Sequence, residues 1–189
     1  MPEVLDVRSA KEWEQWLRAN HATVPEGVWL RMFPKASPDH NLSWDEAVDV
    51  AICYGWIDGQ SRKHDDVSRV QKFTPRRKNS GWSKINVERT ERLIKARRMR
   101  AAGRREIERA KADGRWDRAY SPPSRAEVPD DFIKALRKNK KALAFFETLN
   151  KRNTYPIVYR LQTAKTPETR AKRMVAMIEM FERGEKFHD

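Results

Sequence analysis

The sequence has little cysteine and no long hydrophobic segment. Its 189 residues include one cysteine, Cys53, so neither an internal disulfide nor a cysteine-built zinc site can form. Such sparse use of cysteine is typical of a reducing cytoplasm. No stretch approaches the about 18 apolar residues of a membrane span, and charged side chains interrupt residues 1–19, which argues against a secretory signal. We therefore expect a cytoplasmic protein with no membrane span.

The sequence also lacks the residue spacings of common catalytic and metal sites. The four histidines are scattered, and none has the His-Glu-x-x-His spacing of a zinc helix. There is no glycine-rich phosphate loop and no Gly-x-Ser-x-Gly elbow. Asp58, with His64 nearby, is a candidate acid or base, whereas Cys53 is expected to be a buried, inert thiol. We predict no catalytic residue, no metal and no cofactor.

Positive charge is abundant and concentrated in one segment. The chain has 40 Lys and Arg against 27 Asp and Glu, a net charge of +13. Residues 76–115, the basic stripe, contain fifteen basic and five acidic residues, a net charge of +10. One interpretation is a solvated helical surface, supported by glutamates spaced four residues before basic side chains. The other is a surface that binds polyanions such as nucleic acid.

The N-terminal part alternates between helical and extended patterns. Ser9 and Ser43 are candidate helix caps, Gly55 is a candidate helix stop, and alternating side chains indicate short strands. The pattern predicts helices over Ser9–Ala19 and Trp44–Tyr54 and strands over Val28–Phe33, Gly55–Gln60 and Ser68–Thr74. We expect a small antiparallel sheet packed by these helices.

From Ser83 onward the pattern is helical, with a proline-rich linker candidate at Tyr120–Pro129. We predict helices over Ser83–Ala101, stopped by Gly103, and over Arg104–Asp113, Asp130–Lys138, Lys140–Leu149, Tyr155–Ala164 and Pro167–Arg183. Apolar side chains are expected on one face of the last helix, namely Ala171, Met174, Val175, Ile178 and Phe181. Core packing is favoured over a partner surface for Met174, Met177 and Met180.

These patterns predict an α+β fold, with a small antiparallel sheet and flanking helices followed by a C-terminal helical bundle. The predicted division places an α+β domain with basic helices at residues 1–120 and a helical module at residues 121–189.

Polar and aromatic residues are densest between residues 55 and 86, where strand ends precede a helix start. A helix N-terminus offers unpaired N–H groups, and an arginine fork can hold a phosphate or carboxylate. The alternative for each residue is structural: Asp58 pairs with an arginine, Ser83 caps a helix, and Trp56 and Trp82 fill the core. The ligand-binding hypothesis comprises Trp56, Asp58, Gln60, Arg62, Phe73, Arg76, Arg77, Trp82, Ser83, Lys84 and Asn86.

Several ordered motifs resemble the bacterial YdeI or OmpD-associated family. They are Tyr54–Gln60, Phe73–Arg77, Trp82–Asn86, Ala112–Trp116, Lys141–Glu147 and Lys165–Arg173. A proline at Pro156 departs from the resemblance and affects the expected start of one helix. Members of this family are described as bacteriocin-protection or OmpD-associated proteins linked to resistance against antimicrobial peptides. The family has no established reaction, so the resemblance implies no catalytic residue.

Three classes of function follow from these observations. The first is a non-enzymatic protein that binds an anionic small molecule or an acidic protein partner, connected to bacteriocin resistance or stress as the resemblance implies. The second is a nucleic-acid-binding protein that uses the basic stripe. The third is an enzyme of unknown reaction.

Overall fold

The computed structural model describes residues 4–189 and divides them into two compact units. The N-terminal unit comprises residues 4–80 and 88–113, and the C-terminal unit comprises residues 81–87 and 114–189. Strands β1–β4 span Val4–Leu5, Val28–Met32, Trp56–Lys63 and Arg69–Pro75. Helices α1–α8 span Ala10–Asn20, Trp44–Cys53, Lys84–Lys95, Ala101–Ala112, Asp130–Leu136, Lys140–Phe146, Lys151–Gln162 and Pro167–Glu182.

The predicted α+β class is confirmed, and its sheet is mixed rather than wholly antiparallel. The strand order is β1-β2-β4-β3, and β2, β4 and β3 pair antiparallel as expected. The two-residue strand β1 adds a parallel pair, with Val4 opposite Trp29. Sequence analysis missed β1 because two residues are too short for an alternating pattern.

Serine caps fix the start of the first two helices, as the sequence predicts. Ser9 accepts a hydrogen bond from the Glu12 N–H, and Ser43 forms a complete capping box with Glu46. The end of α2 is followed by Gly55 at φ +76°, a left-handed conformation that favours glycine. Local chemistry therefore determines these boundaries.

The core of the N-terminal unit is built around aromatic side chains. Trp13 of α1 lies 5.3 Å from Phe73 and 6.4 Å from Trp56 between ring centroids, and all three are buried. The Trp13 indole N–H donates to the Ala47 carbonyl at 3.1 Å. Because a buried indole needs a hydrogen-bond acceptor, this bond also ties α1 to α2.

The prediction of one helix over Ser83–Ala101 stopped by Gly103 is wrong. Helix α3 ends at Lys95, and Gly103 lies buried inside α4. A Cβ atom at Gly103 would stand 2.4 Å from the Cys53 carbonyl oxygen, closer than real contacts allow. The glycine therefore permits a close approach of α4 to the end of α2, where sequence analysis expected a helix stop.

We expect Gly103→Ala to lower the free energy of unfolding by about 1–3 kcal/mol, the usual range for overpacking, because the added methyl group meets backbone atoms. The matched control is Gly59→Ala, whose Cβ would meet only Lys72 at ordinary contact distance. Urea denaturation of both variants measures the difference, and equal effects would contradict the close approach.

A Schellman motif ends α3. The Arg98 N–H donates to the Leu93 carbonyl at 3.0 Å, and the Arg97 N–H donates to the Ile94 carbonyl at 2.9 Å. Arg97 holds φ +57°, at the position where glycine is preferred. Among the described residues it is the one non-glycine with positive φ, so the turn carries a local strain.

We expect Arg97→Gly to raise the free energy of unfolding by about 1 kcal/mol, because glycine adopts the left-handed conformation without a Cβ clash. Arg98→Gly is the matched control, since its φ is not positive. Thermal and urea denaturation compare the two, and equal stability of both variants would disprove strain at Arg97.

The C-terminal unit is a helical bundle, as predicted, with its own core. That core contains Phe132, Leu136, Ala142, Ile157, Leu161, Met177 and Phe181. Met174 and Met180 pack against it, so core packing of the three methionines is confirmed. The expectation that Val175 faces the core is wrong: it is 56% exposed.

Helix α7 begins at Lys151, four residues before the predicted start, and contains Pro156. Asn150 caps it by accepting from the Asn153 N–H at 3.2 Å. This cap was not considered in the sequence analysis, which took the proline as the boundary. The proline removes one backbone donor from the helix interior, and tertiary packing of Ile157 and Leu161 compensates.

Candidate functional site

The residues of the ligand-binding hypothesis are divided between the two units. The N-terminal unit holds Trp56, Asp58, Gln60, Arg62, Phe73, Arg76 and Arg77, and the C-terminal unit holds Trp82, Ser83, Lys84 and Asn86.

Two of these residues are packed in the aromatic core. Trp56 and Phe73 are 1% and 0% exposed. The Trp56 indole N–H donates to the His21 carbonyl at 3.1 Å. Neither ring presents an accessible surface in this structure, so both positions stabilise the fold.

Gln60 and Arg62 are exposed on β3; Gln60 lies within an irregularity in the pairing with β4, between Asp58 and Ser61, and Arg62 lies beyond it. The Gln71 amide donates to the Gly59 carbonyl at 2.9 Å and to the Gln60 carbonyl at 3.3 Å, which satisfies this irregular backbone. The Arg62 guanidinium lies 4.1 Å from the Trp29 ring centroid, in cation–π geometry. These contacts place both residues away from the unit's core.

Asp58 and Arg76 interact electrostatically. Burial raises the pKa of the half-buried Asp58 carboxyl, and the charges of Arg76 and Arg89 and a hydrogen bond from Trp44 oppose that rise. Arg76 is 6% exposed, and its backbone N–H donates to the Gly55 carbonyl at 2.9 Å. Arg77 is exposed, with its N–H bonded to the Ser80 hydroxyl.

In the C-terminal unit, the predicted residues surround the start of α3. The Ser83 hydroxyl accepts from the Asn86 N–H at 3.2 Å, as a helix cap does. Trp82 is 2% exposed and its ring lies 4.9 Å from that of Trp116. The Lys84 N–H donates to the Tyr120 carbonyl at 2.9 Å. These contacts have structural roles, and the ligand-binding role stays a prediction.

We expect Asp58→Asn to stabilise the protein at pH 7 and to have no effect near pH 3. Burial raises the pKa of Asp58 above its ordinary value of 3.8, so the folded state favours the protonated form. The stability from this group is complete below pH 3.8 and is lost as the pH rises through the folded-state pKa. Asparagine stays neutral throughout.

Urea denaturation at both pH values measures this difference, with Asp39→Asn, at an exposed position, as the control. A stabilisation by Asp58→Asn that persists at pH 3 would contradict the role of burial.

Cys53 is buried, as predicted. It is 3% exposed, and burial raises the pKa of its thiol to about 11. The thiolate, which is the nucleophilic form, is therefore scarce at neutral pH. No group of three or more histidine, cysteine or acidic side chains among residues 4–189 could hold a metal ion.

Ion pairs within the N-terminal unit occupy part of the basic stripe. The buried Asp49 carboxylate bonds Arg89 Nη1 at 3.0 Å and Arg92 Nη2 at 2.7 Å. Arg89 also pairs with Asp45. These bonds tie α3 to α2, and they balance a carboxylate that would be costly to bury alone. Part of the stripe's charge is therefore structural.

A cationic cleft of about 300 Å³ lies between the end of α1, the end of α2 and the start of α4. Its charged lining residues are all arginines, with no carboxylate among them. The complete lining is Arg18, His21, Tyr54, Arg100, Ala101, Ala102 and Arg105. The alanines give it a small apolar surface beside the charged groups.

Polar contacts position two groups of the cleft. Arg100 Nη2 lies 2.6 Å from Glu14 Oε1, and the Tyr54 hydroxyl lies 3.5 Å from the same oxygen. The Tyr54 pKa is raised, chiefly by burial and then by Glu14, so the hydroxyl keeps its proton at neutral pH. His21 Nδ1 lies 2.9 Å from the Leu17 carbonyl oxygen. A proton on Nδ1 forms this bond and leaves Nε2 as the second polar atom of the ring.

Two cleft arginines form no ion pair with any described residue: Arg18 and Arg105. Sequence analysis missed Arg18 of α1, and His21 and Tyr54 at the ends of α1 and α2, because none of them carries a local signal of binding. The tertiary packing of α4 brings them beside Arg100 and Arg105, and that packing depends on a glycine interpreted as a helix stop. The one signal in the sequence was the clustering of arginine in the basic stripe.

Two family models match this chain, in separate regions. The model described as Domain of unknown function (DUF8412) matches residues 5–106, just over half of the chain. The chain belongs to this family. The model described as Bacteriocin-protection, YdeI or OmpD-Associated matches residues 125–184, which confirms the suspected relationship there. The motifs between Tyr54 and Asn86 that resembled the same family lie in the region matched by the first model.

Comparison with curated proteins and with solved structures finds no match to this chain. Within residues 4–189, every helix is too short or too polar to cross a membrane.

Proposed function

We propose that this protein binds a phosphate-bearing anionic ligand in the cationic cleft. The observation that carries the proposal is a concave site lined by three arginines and no carboxylate. Guanidinium groups bind phosphate oxygens in pairs of parallel hydrogen bonds, and such charge-assisted bonds are stronger than neutral ones. The two arginines without an ion pair, Arg18 and Arg105, supply positive charge that no described carboxylate neutralises.

The other groups of the cleft suit a phosphate as well. The Tyr54 hydroxyl donates to Glu14 at a long 3.5 Å, so its proton can turn to a bound phosphate oxygen, while Glu14 orients Arg100 through its 2.6 Å ion pair. The volume of about 300 Å³ is at the small end of ligand pockets. It therefore favours one phosphate group with a small attached portion over a large organic ligand.

This proposal is compatible with a protective role of the kind that the family description names. A protein with a net charge of +13 repels cationic peptides at long range. Protection would therefore act indirectly, through an anionic ligand or an acidic partner, and we propose a cytoplasmic location for it. The positive net charge of the chain gives no support to direct capture of a cationic peptide.

The test is isothermal titration calorimetry with inorganic pyrophosphate at low salt. We expect the double variant Arg18→Gln/Arg105→Gln to weaken binding at least tenfold, because each lost charged hydrogen bond contributes about 1.5–3 kcal/mol. The matched control is Arg137→Gln/Lys138→Gln, which removes two exposed charges from the C-terminal unit.

Equal weakening of pyrophosphate binding by both double variants would show that net charge alone attracts the ligand, and it would overturn the proposal. Loss of binding in Arg76→Ala/Arg77→Ala, with the cleft variant unaffected, would instead assign the site to the residues predicted from sequence.

A further inference from the structure

Exposed arginines flank the cationic cleft on the α3–α4 connection. We call Arg97, Arg98 and Arg104 the arginine corner. All three are exposed, and none forms an ion pair with a residue in the described range 4–189. Their charges are therefore not used to hold the fold together.

The arginine corner is continuous with the cleft along the chain. Arg97 is three residues from Arg100, and Cα atoms are 3.8 Å apart, so the two Cα atoms lie within about 11 Å. Arg104 is four residues from Arg100, one helical turn further along, and its N–H donates to the Arg100 carbonyl at 3.0 Å. Each strand of a DNA duplex carries one phosphate per about 3.4 Å of helix rise, so a span of this length corresponds to at most about three phosphates.

Arg97 occupies a backbone position at which an arginine is unfavourable. Its φ of +57° lies where glycine would fit without strain. Arginine at such a position costs stability that glycine would not, so its charge is available for binding and is not needed for folding. The strain thus adds to the argument from charge.

We infer that the cleft and the arginine corner together bind the phosphate backbone of a nucleic acid. The cleft receives one phosphate, and the corner contacts its neighbours on the same strand. This inference rests on the proposed function and names the class of ligand.

The composition of this surface favours nucleic acid over an acidic protein. Protein interfaces have an apolar centre. The one large apolar side chain in residues 95–105 is Met99, which is 6% exposed. Ile94, just before the corner, is 36% exposed. A single apolar side chain does not form an apolar interface centre, so the corner offers mainly charge, which is what sequence-independent binding of a phosphate backbone uses.

The test is fluorescence anisotropy with a labelled single-stranded DNA of mixed sequence, titrated at several NaCl concentrations. With about three phosphates contacted, the logarithm of affinity should fall against the logarithm of salt with a slope of about −2. We expect Arg97→Gly to weaken binding about threefold to tenfold at low salt and to reduce the slope by about 0.7, the value for one phosphate contact.

Arg137→Gly is the matched control, since it also removes one exposed charge at a helix end, in the C-terminal unit. It should leave the slope unchanged. Because Arg97→Gly is expected to be more stable than the wild type, weaker binding by this variant cannot be attributed to unfolding.

Equal effects of Arg97→Gly and Arg137→Gly would overturn the inference, because they would show attraction by net charge alone. Pyrophosphate binding without DNA binding would overturn it and leave the proposed function standing. Failure of both ligands to bind would overturn both.

Discussion

The close packing of α4 against the end of α2 is the constraint on which the proposed site depends. A glycine at position 103 lets the α4 backbone approach the Cys53 carbonyl, with no room for a Cβ atom. The Arg100 N–H donates to that same carbonyl at 3.1 Å. This contact places the start of α4 beside the ends of α1 and α2. The cationic cleft is therefore a product of helix packing, since its residues come from three separate helices.

Charge in the basic stripe is divided between two tasks. Arg89 and Arg92 neutralise the buried Asp49 and fasten α3 to α2. The arginine corner has no such partner among the described residues and gives the surface positive potential. Of the two interpretations of the stripe from sequence, the supporting role therefore applies to Arg89 and Arg92. The polyanion-binding role stays a proposal for the exposed arginines. The carboxylate that Arg89 and Arg92 bind belongs to α2, whereas the sequence predicted acidic partners within the stripe.

Elements with local signals could be predicted from the sequence. Serine caps at Ser9 and Ser43 and the alternating pattern of Val28–Met32 specify their elements within a few residues. Features that depend on distant contacts could not be predicted in this way. In the sequence Gly103 looks like a helix stop, whereas in the structure it lies inside α4 and permits close packing against the end of α2. The cleft residue Tyr54 has no chemical signal in its helix, because its neighbours Arg18 and Arg100 are far away in sequence.

The double ion pair of Asp49 has a further consequence for the response to ionic strength. Salt screens exposed charges strongly and buried pairs much less. Rising salt should therefore leave the attachment of α3 to α2 nearly intact while it weakens attraction to the exposed arginines. Arginine thus forms ion pairs that resist salt where it binds Asp49, and it carries salt-sensitive charge where it is exposed. A change in ionic strength would therefore alter the potential around the exposed arginines without loosening the fold that presents them.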